Sequence, residues 1–159
     1  MLEINSRGYL VPHTNIPATL SDLELQFANI PDEPIRRSLF EKYIVYSDEL
    51  KATLSGHLII QWIDGSYVTQ KKYPNDIDLV SIVDGELIDS IGDKINNFKY
   101  PFSLTKYGVD AYIVKIYSED NRKYPLFLGD RFYWMNNFIK SRRNKYGHQW
   151  PKGFLEIIY

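Results

Sequence analysis

The sequence predicts an α/β (α+β) fold, a short mixed β-sheet with helices packed on it. Short apolar runs rich in Ile and Val alternate along the chain with segments whose apolar residues recur at three- and four-residue steps. The composition is 44% hydrophobic, with 13 Tyr, 8 Phe and 3 Trp, which supplies enough apolar surface to cover a sheet on both faces. At 159 residues the chain has the length of one domain, and no repeat, low-complexity tract or linker divides it.

Residues 1–20 carry Gly8, Pro12 and Pro17 and no clear period, which predicts an extended arm over the core. Asp32 and Pro34 open a helical pattern in which Ile35, Leu39, Tyr43, Tyr46, Leu50 and Leu54 share one face. After Gly56, "HLIIQWI" reads as a buried strand ending at Asp64-Gly65-Ser66, and "DIDLVSIV" as a second strand from Asp76 to Val83. Leu87, Ile88, Ile91, Ile95 and Phe98 form an amphipathic helix pattern, and "VDAYIVKIY" predicts a third strand over 109–117. Phe132, Met135, Phe138 and Ile139 predict a helix over 130–146 that stops at Gly147, and "GFLEII" closes the chain as a fourth strand.

The formal net charge of −1 gives no global field toward nucleic acid or an anionic membrane. Zero cysteines exclude disulfides, thiolate nucleophiles and cysteine-based zinc sites, and three histidines argue against a histidine-rich metal site. The N-terminus lacks the order of a signal peptide and no window reaches a membrane span, so a soluble cytoplasmic protein without membrane contact is expected.

Asp76 and Asp78 stand at the mouth of the second predicted strand. Alternation along a strand would turn both to one side, about 6–7 Å apart. Two partly desolvated carboxylates this close repel, which raises one pKa unless a cation neutralises them. Oxygen-only ligands favour Mg²⁺ or Mn²⁺, with substrate phosphates completing the shell. The competing reading puts Asp76 in the turn "YPND" and pairs Asp78 with Lys71, Lys72 or an arginine. Gly65-Ser66, directly after the preceding strand, lets a phosphate approach backbone N–H groups and adds a hydroxyl donor.

With Gly65-Ser66 followed after nine residues by Asp76-Ile77-Asp78, the stretch resembles the DNA polymerase β-like nucleotidyltransferase superfamily. "GYLVPHTNIPATLSDLELQF", "WIDGSYVTQKKYPNDIDLV" and "PKGFLEI" look like a set of small, uncharacterised bacterial members of it. The resemblance implies a nucleotidyltransferase-like fold. It also implies a two-metal transfer of a nucleoside monophosphate from an NTP to an acceptor hydroxyl. In that mechanism Asp76, Asp78 and Asp110 are catalytic residues and ligands of Mg²⁺ or Mn²⁺, Asp110 aids deprotonation of the hydroxyl, and Gly65 and Ser66 grip the β- and γ-phosphates. Lys71, Lys72 or Arg131 would offset charge on the leaving pyrophosphate. Asp64 departs from the superfamily's usual apolar residue and is expected to cap a short helix after Gly65.

The small size favours RNA or a protein as acceptor, with a toxin–antitoxin or phage-defence setting and a small partner protein as further expectations. The rival reading is a non-catalytic module of the same fold, an antitoxin or assembly partner. A third rests on the segment 130–152, where Arg131, Lys140, Arg142, Arg143, Lys145 and Lys152 outweigh Asp130 and interleave with Tyr133, Trp134, Tyr146 and Trp150, a pattern suited to RNA. "RNKYGH" has the Arg-x4-His spacing of small helical ribonucleases, but Gly147 and the following proline break the helix such a site requires.

Overall fold

The N-terminal segment is more ordered than an extended arm. In the computed structural model, which describes residues 2–159, Glu3–Ile4 (β1) and Leu10–Val11 (β2) pair antiparallel; Met1, counted in the expected arm, lies outside the described residues. Asn5 forms the turn between them, its Oδ1 accepting from the amides of Arg7 and Tyr9. Asn15–Pro17 (β3) then joins the main sheet at its edge, where a proline's missing N–H is tolerated.

Thr19 and Asp22 close a capping box at the start of Leu20–Leu23 (α1), and one π-helical turn follows at Glu24–Ala28. Pro34 occupies the first turn of Pro34–Thr53 (α2), where no intrahelical donor is lost. Leu39, Tyr43, Tyr46 and Leu50 are buried as their spacing predicts. Ile35 is 37% exposed, and Arg36 is buried in its place. The reason is polar: the first turn of α2 faces a loop rich in backbone carbonyls, which an arginine satisfies and an isoleucine cannot.

Ile60–Asp64 (β4) and Asp78–Asp84 (β5) pair antiparallel. β5 starts two residues later than expected because its pairing with β4 ends at Asp64↔Asp78, beyond which Gly65 turns the chain away at φ +78°. Gly85–Ile91 (α3) continues as a 3₁₀ helix over Gly92–Phe98, then come Phe102–Tyr107 (α4) and Asp110–Ile116 (β6).

Tyr124–Phe138 (α5) lies earlier than the 130–146 expected. Pro125 sits in its first turn, and after Phe138 the chain doubles back, Ser141 N donating to the Trp150 carbonyl and Lys152 N to that of Ile139. These bonds replace helical ones, so the basic residues from Lys140 to Lys145 stand on a loop. Phe154–Ile158 (β7) ends the fold.

The sheet order is β3-β7-β4-β5-β6, with β3∥β7 and β5∥β6 parallel and the two central pairings antiparallel, an α+β arrangement. One face buries Ile63, Leu79, Val83, Ala111 and Leu155 against Tyr43, Tyr46 and Leu50 of α2. The other buries Trp62, Val80, Ile82, Val114 and Phe154 under Phe127 and Phe138 of α5. Strand β5 is thus covered on both sides, which is why it reads as a continuous apolar run. Among the described residues no helix is long and apolar enough to cross a membrane.

Candidate functional site

The register of the sheet brings three aspartates into one row. Asp64 ends β4, Asp78 begins β5 and Asp110 begins β6, and they pair as Asp64↔Asp78 and Asp78↔Asp110. Cross-strand partners share a face, so all three lie at the same end of the sheet on the side that α5 covers further along. Asp76 precedes β5 and lies outside any strand and any turn, yet it lines the same cleft.

That cleft has a volume of about 840 Å³ and is walled by the β1–β2 turn, the loop after β4 and the chain after α5. Asp64, Gly65, Ser66, Lys71, Asp76 and Asp78 line it. Asp110 flanks Asp78 without lining the cleft. Lys72 and Arg131 do not reach it; the Arg131 guanidinium lies 5.9 Å from the Trp62 ring centroid instead. Arg7, Lys140, Arg142 and Lys152 are cations of the lining that the sequence pattern did not assign to the phosphate site.

Gly65 is fixed by its neighbour. A Cβ at this position would stand 1.7 Å from Asp78 Oδ2, so only glycine lets the backbone lie against that carboxylate. No helix follows Gly65, so Asp64 caps none; the chain makes a turn in which Thr69 N donates to the Ser66 carbonyl. Asp64 instead forms a buried ion pair with Lys152. Among the described residues the amides of Ser66, Tyr67 and Val68 have no acceptor.

Burial, with the like charges of Asp76 and Asp64 behind it, pushes the Asp78 carboxyl up to about 6. Its nearest cation is Arg142, at 3.9 Å on a side chain 94% exposed, too distant and too hydrated to offset this. Burial also raises Asp64, against the pull of Lys152, and raises Asp110. Asp110 Oδ1 is buried without a hydrogen-bond partner.

Residues 2–158 match the DUF6932 family, described as a family of unknown function. The chain belongs to that family. No curated protein and no solved structure matches this DUF6932 chain.

The residues fit a hard divalent cation. Among the described residues no three Asp, Glu or His side chains form a ready metal cage. Magnesium asks for less, since one or two carboxylates suffice when water and phosphate complete the shell. The partnerless Oδ1 of Asp110 and the mutually repelling Asp76 and Asp78 are groups such an ion would satisfy.

Proposed function

We propose that this cleft binds a nucleoside triphosphate with Mg²⁺ (or Mn²⁺) and transfers its nucleoside monophosphate to an acceptor hydroxyl on RNA or protein, in a nucleotidyltransferase-like fold. The observation that carries the reading is the contact of Gly65 with Asp78, with Asp110 in register beside it. It joins a phosphate-binding turn to an acidic row, and basic side chains at Arg7, Lys71, Lys140 and Arg142 surround that floor. Acidic floor and basic rim together complement a metal-bound polyphosphate better than either ligand alone.

Asp76, Asp78 and Asp110 would hold the cation, which supplies charge neutralisation on the triphosphate and polarises its α-phosphorus. The amides that follow Gly65, with the Ser66 hydroxyl, donate to β- and γ-phosphate oxygens. Asp110 would favour deprotonation of the acceptor hydroxyl, whose proton passes to water in the cleft as its oxygen bonds to the α-phosphorus. The bond from that phosphorus to the α–β bridging oxygen breaks, and its electron pair leaves with pyrophosphate, whose charge Lys71 and Arg142 offset.

A second reading, a non-catalytic module that serves as an antitoxin or assembly partner, draws on Lys152. Its ammonium already places a cation in the acidic row. Incubation with each α-labelled NTP, Mg²⁺ and total RNA or lysate separates the two. The catalytic reading expects label on a macromolecule with the wild type and none with Asp76→Ala/Asp78→Ala. Absence of both transfer and NTP–Mg²⁺ binding by the folded wild type replaces it with the module.

A further inference from the structure

Arg36 is buried and directs all five of its guanidinium N–H donors to protein acceptors. Nε donates to Glu33 Oε2 at 2.7 Å. Nη1 donates to the carbonyls of Tyr67 at 2.6 Å and Phe27 at 3.3 Å. Nη2 donates to the carbonyls of Thr69 at 2.9 Å and Lys71 at 2.6 Å. Three of the five acceptors are alternate carbonyls of one loop, the loop that brings Ser66, Thr69 and Lys71 to the cleft wall. Tyr67 returns the contact, its hydroxyl donating to the Arg36 carbonyl and its ring centroid lying 5.5 Å from the guanidinium carbon.

The geometry points to Arg36 as a positioning residue of the cleft: it holds the carbonyls of Tyr67, Thr69 and Lys71 on itself, so that these oxygens are turned from an anionic ligand and the loop sets Ser66, Thr69 and Lys71 on the cleft wall. A peptide dipole presents one end to each side, and of the amides opposite these carbonyls that of Gln70 is spent on the Gly8 carbonyl, so what Arg36 supplies to the cleft is a fixed loop rather than a row of free donors. The loop's other ties are few: Thr69 N and Oγ1 to the Ser66 carbonyl, Lys71 N to Thr69 Oγ1, and Gln70 N to the Gly8 carbonyl. Lysine cannot substitute, because its ammonium has three donors at one point and cannot span five acceptors.

This inference rests on the triphosphate reading for its ligand, so its test carries two readouts. Arg36→Lys is compared with wild type by amide hydrogen exchange and by calorimetric binding of NTP with Mg²⁺. Exchange is expected to speed up at Thr69, Gln70 and Lys71 and to stay unchanged in β5 and the second half of α2. Affinity of the folded protein is expected to fall about tenfold or more, the scale of one lost charge-assisted hydrogen bond. In Arg36→Gly, millimolar guanidinium should restore part of the affinity, which a general loss of stability would not permit. If Arg36→Lys fails to fold, Glu33→Gln, which weakens only the Nε contact, is expected to shift both readouts in the same direction by less. Unchanged exchange in the loop overturns the inference, as does faster exchange with undiminished affinity. A wild type that binds no NTP sinks the triphosphate reading instead, and Arg36 is then judged on exchange alone.

Discussion

Gly65 and Asp78 touch across the end of the β4–β5 pair so closely that a Cβ on residue 65 would lie 1.7 Å from the Asp78 carboxylate oxygen. Backbone turn and acidic group thus form one unit, with Gly65 at φ +78° and Asp78 fixed by the ladder.

Gly65→Ala is therefore expected to lower stability by about 2–4 kcal/mol, from the left-handed backbone and the forced shift of Asp78 together. In an Asp78→Ala background the contacts with Oδ2 and Cγ disappear, leaving a tight 3.2 Å approach to the Cβ, and chiefly the backbone part, about 1–2 kcal/mol, remains. Urea denaturation of the four proteins measures the difference. Additive losses would show that the two residues do not constrain each other.

The Asp78 carboxyl titrates near 6 in the fold, above its unfolded value, so the folded state holds this proton more tightly. Stability from this group is present at low pH and is lost as pH rises from about 4 to about 6. Asp78→Asn removes the dependence and is expected to be more stable than wild type at pH 7 by about 1–3 kcal/mol in the absence of divalent ions. Thermal melts across pH 4–7 test this; a variant that tracks the wild type would place the repulsion elsewhere.

How far the sequence discloses such a site depends on what kind of partner each residue has. Strand β5 was legible because burial on both faces leaves a continuous apolar run, and β6, at the sheet edge and only partly buried, because its residues are mostly apolar and β-branched or aromatic; Asp78 and Asp110 stand out where those runs begin. Asp76 lies outside the strand it was read into, since an apolar Ile77 extends the pattern past the point where β4 stops pairing. Asp64 was expected to cap a helix, because its actual partner, Lys152, is 88 residues away. Arg36 was hidden for another reason. Four of its five acceptors are backbone carbonyls, which leave no mark in the side-chain sequence. The end of α5 was missed because hydrogen bonds to the Trp150 segment, not a local stop signal, end the helix.

The Asp64–Lys152 pair supplies the third test. Both side chains are nearly inaccessible, 10% and 6% exposed, so removing one leaves the other charge buried alone. Lys152→Met is expected to cost about 3–5 kcal/mol at pH 7. The loss should shrink as pH falls, because burial raises Asp64 and the acid form, once protonated, no longer leaves a buried charge alone. The double change Asp64→Leu/Lys152→Met should regain most of the stability, as apolar replacements of buried pairs commonly do. A double variant as unstable as the single one would mean that the pair holds the cleft in a way that packing cannot replace.

Arg142 tests the basic rim without disturbing the fold. Its side chain is 94% exposed and its one ion-pair contact is the 3.9 Å approach to Asp78, so Arg142→Ala should change stability by less than about 0.5 kcal/mol. Under the triphosphate reading it should still weaken NTP binding about three- to tenfold at low ionic strength, with the deficit narrowing near 0.5 M salt as screening removes the long-range attraction. Lys71→Ala should behave alike, because Lys71 also lines the cleft, whereas Arg131→Ala, placed over Trp62, should leave binding unchanged. Calorimetry of the three variants at two salt concentrations decides the matter. Equal affinities at low salt would remove the rim from ligand binding and leave phosphate recognition to the backbone of the Gly65–Lys71 loop.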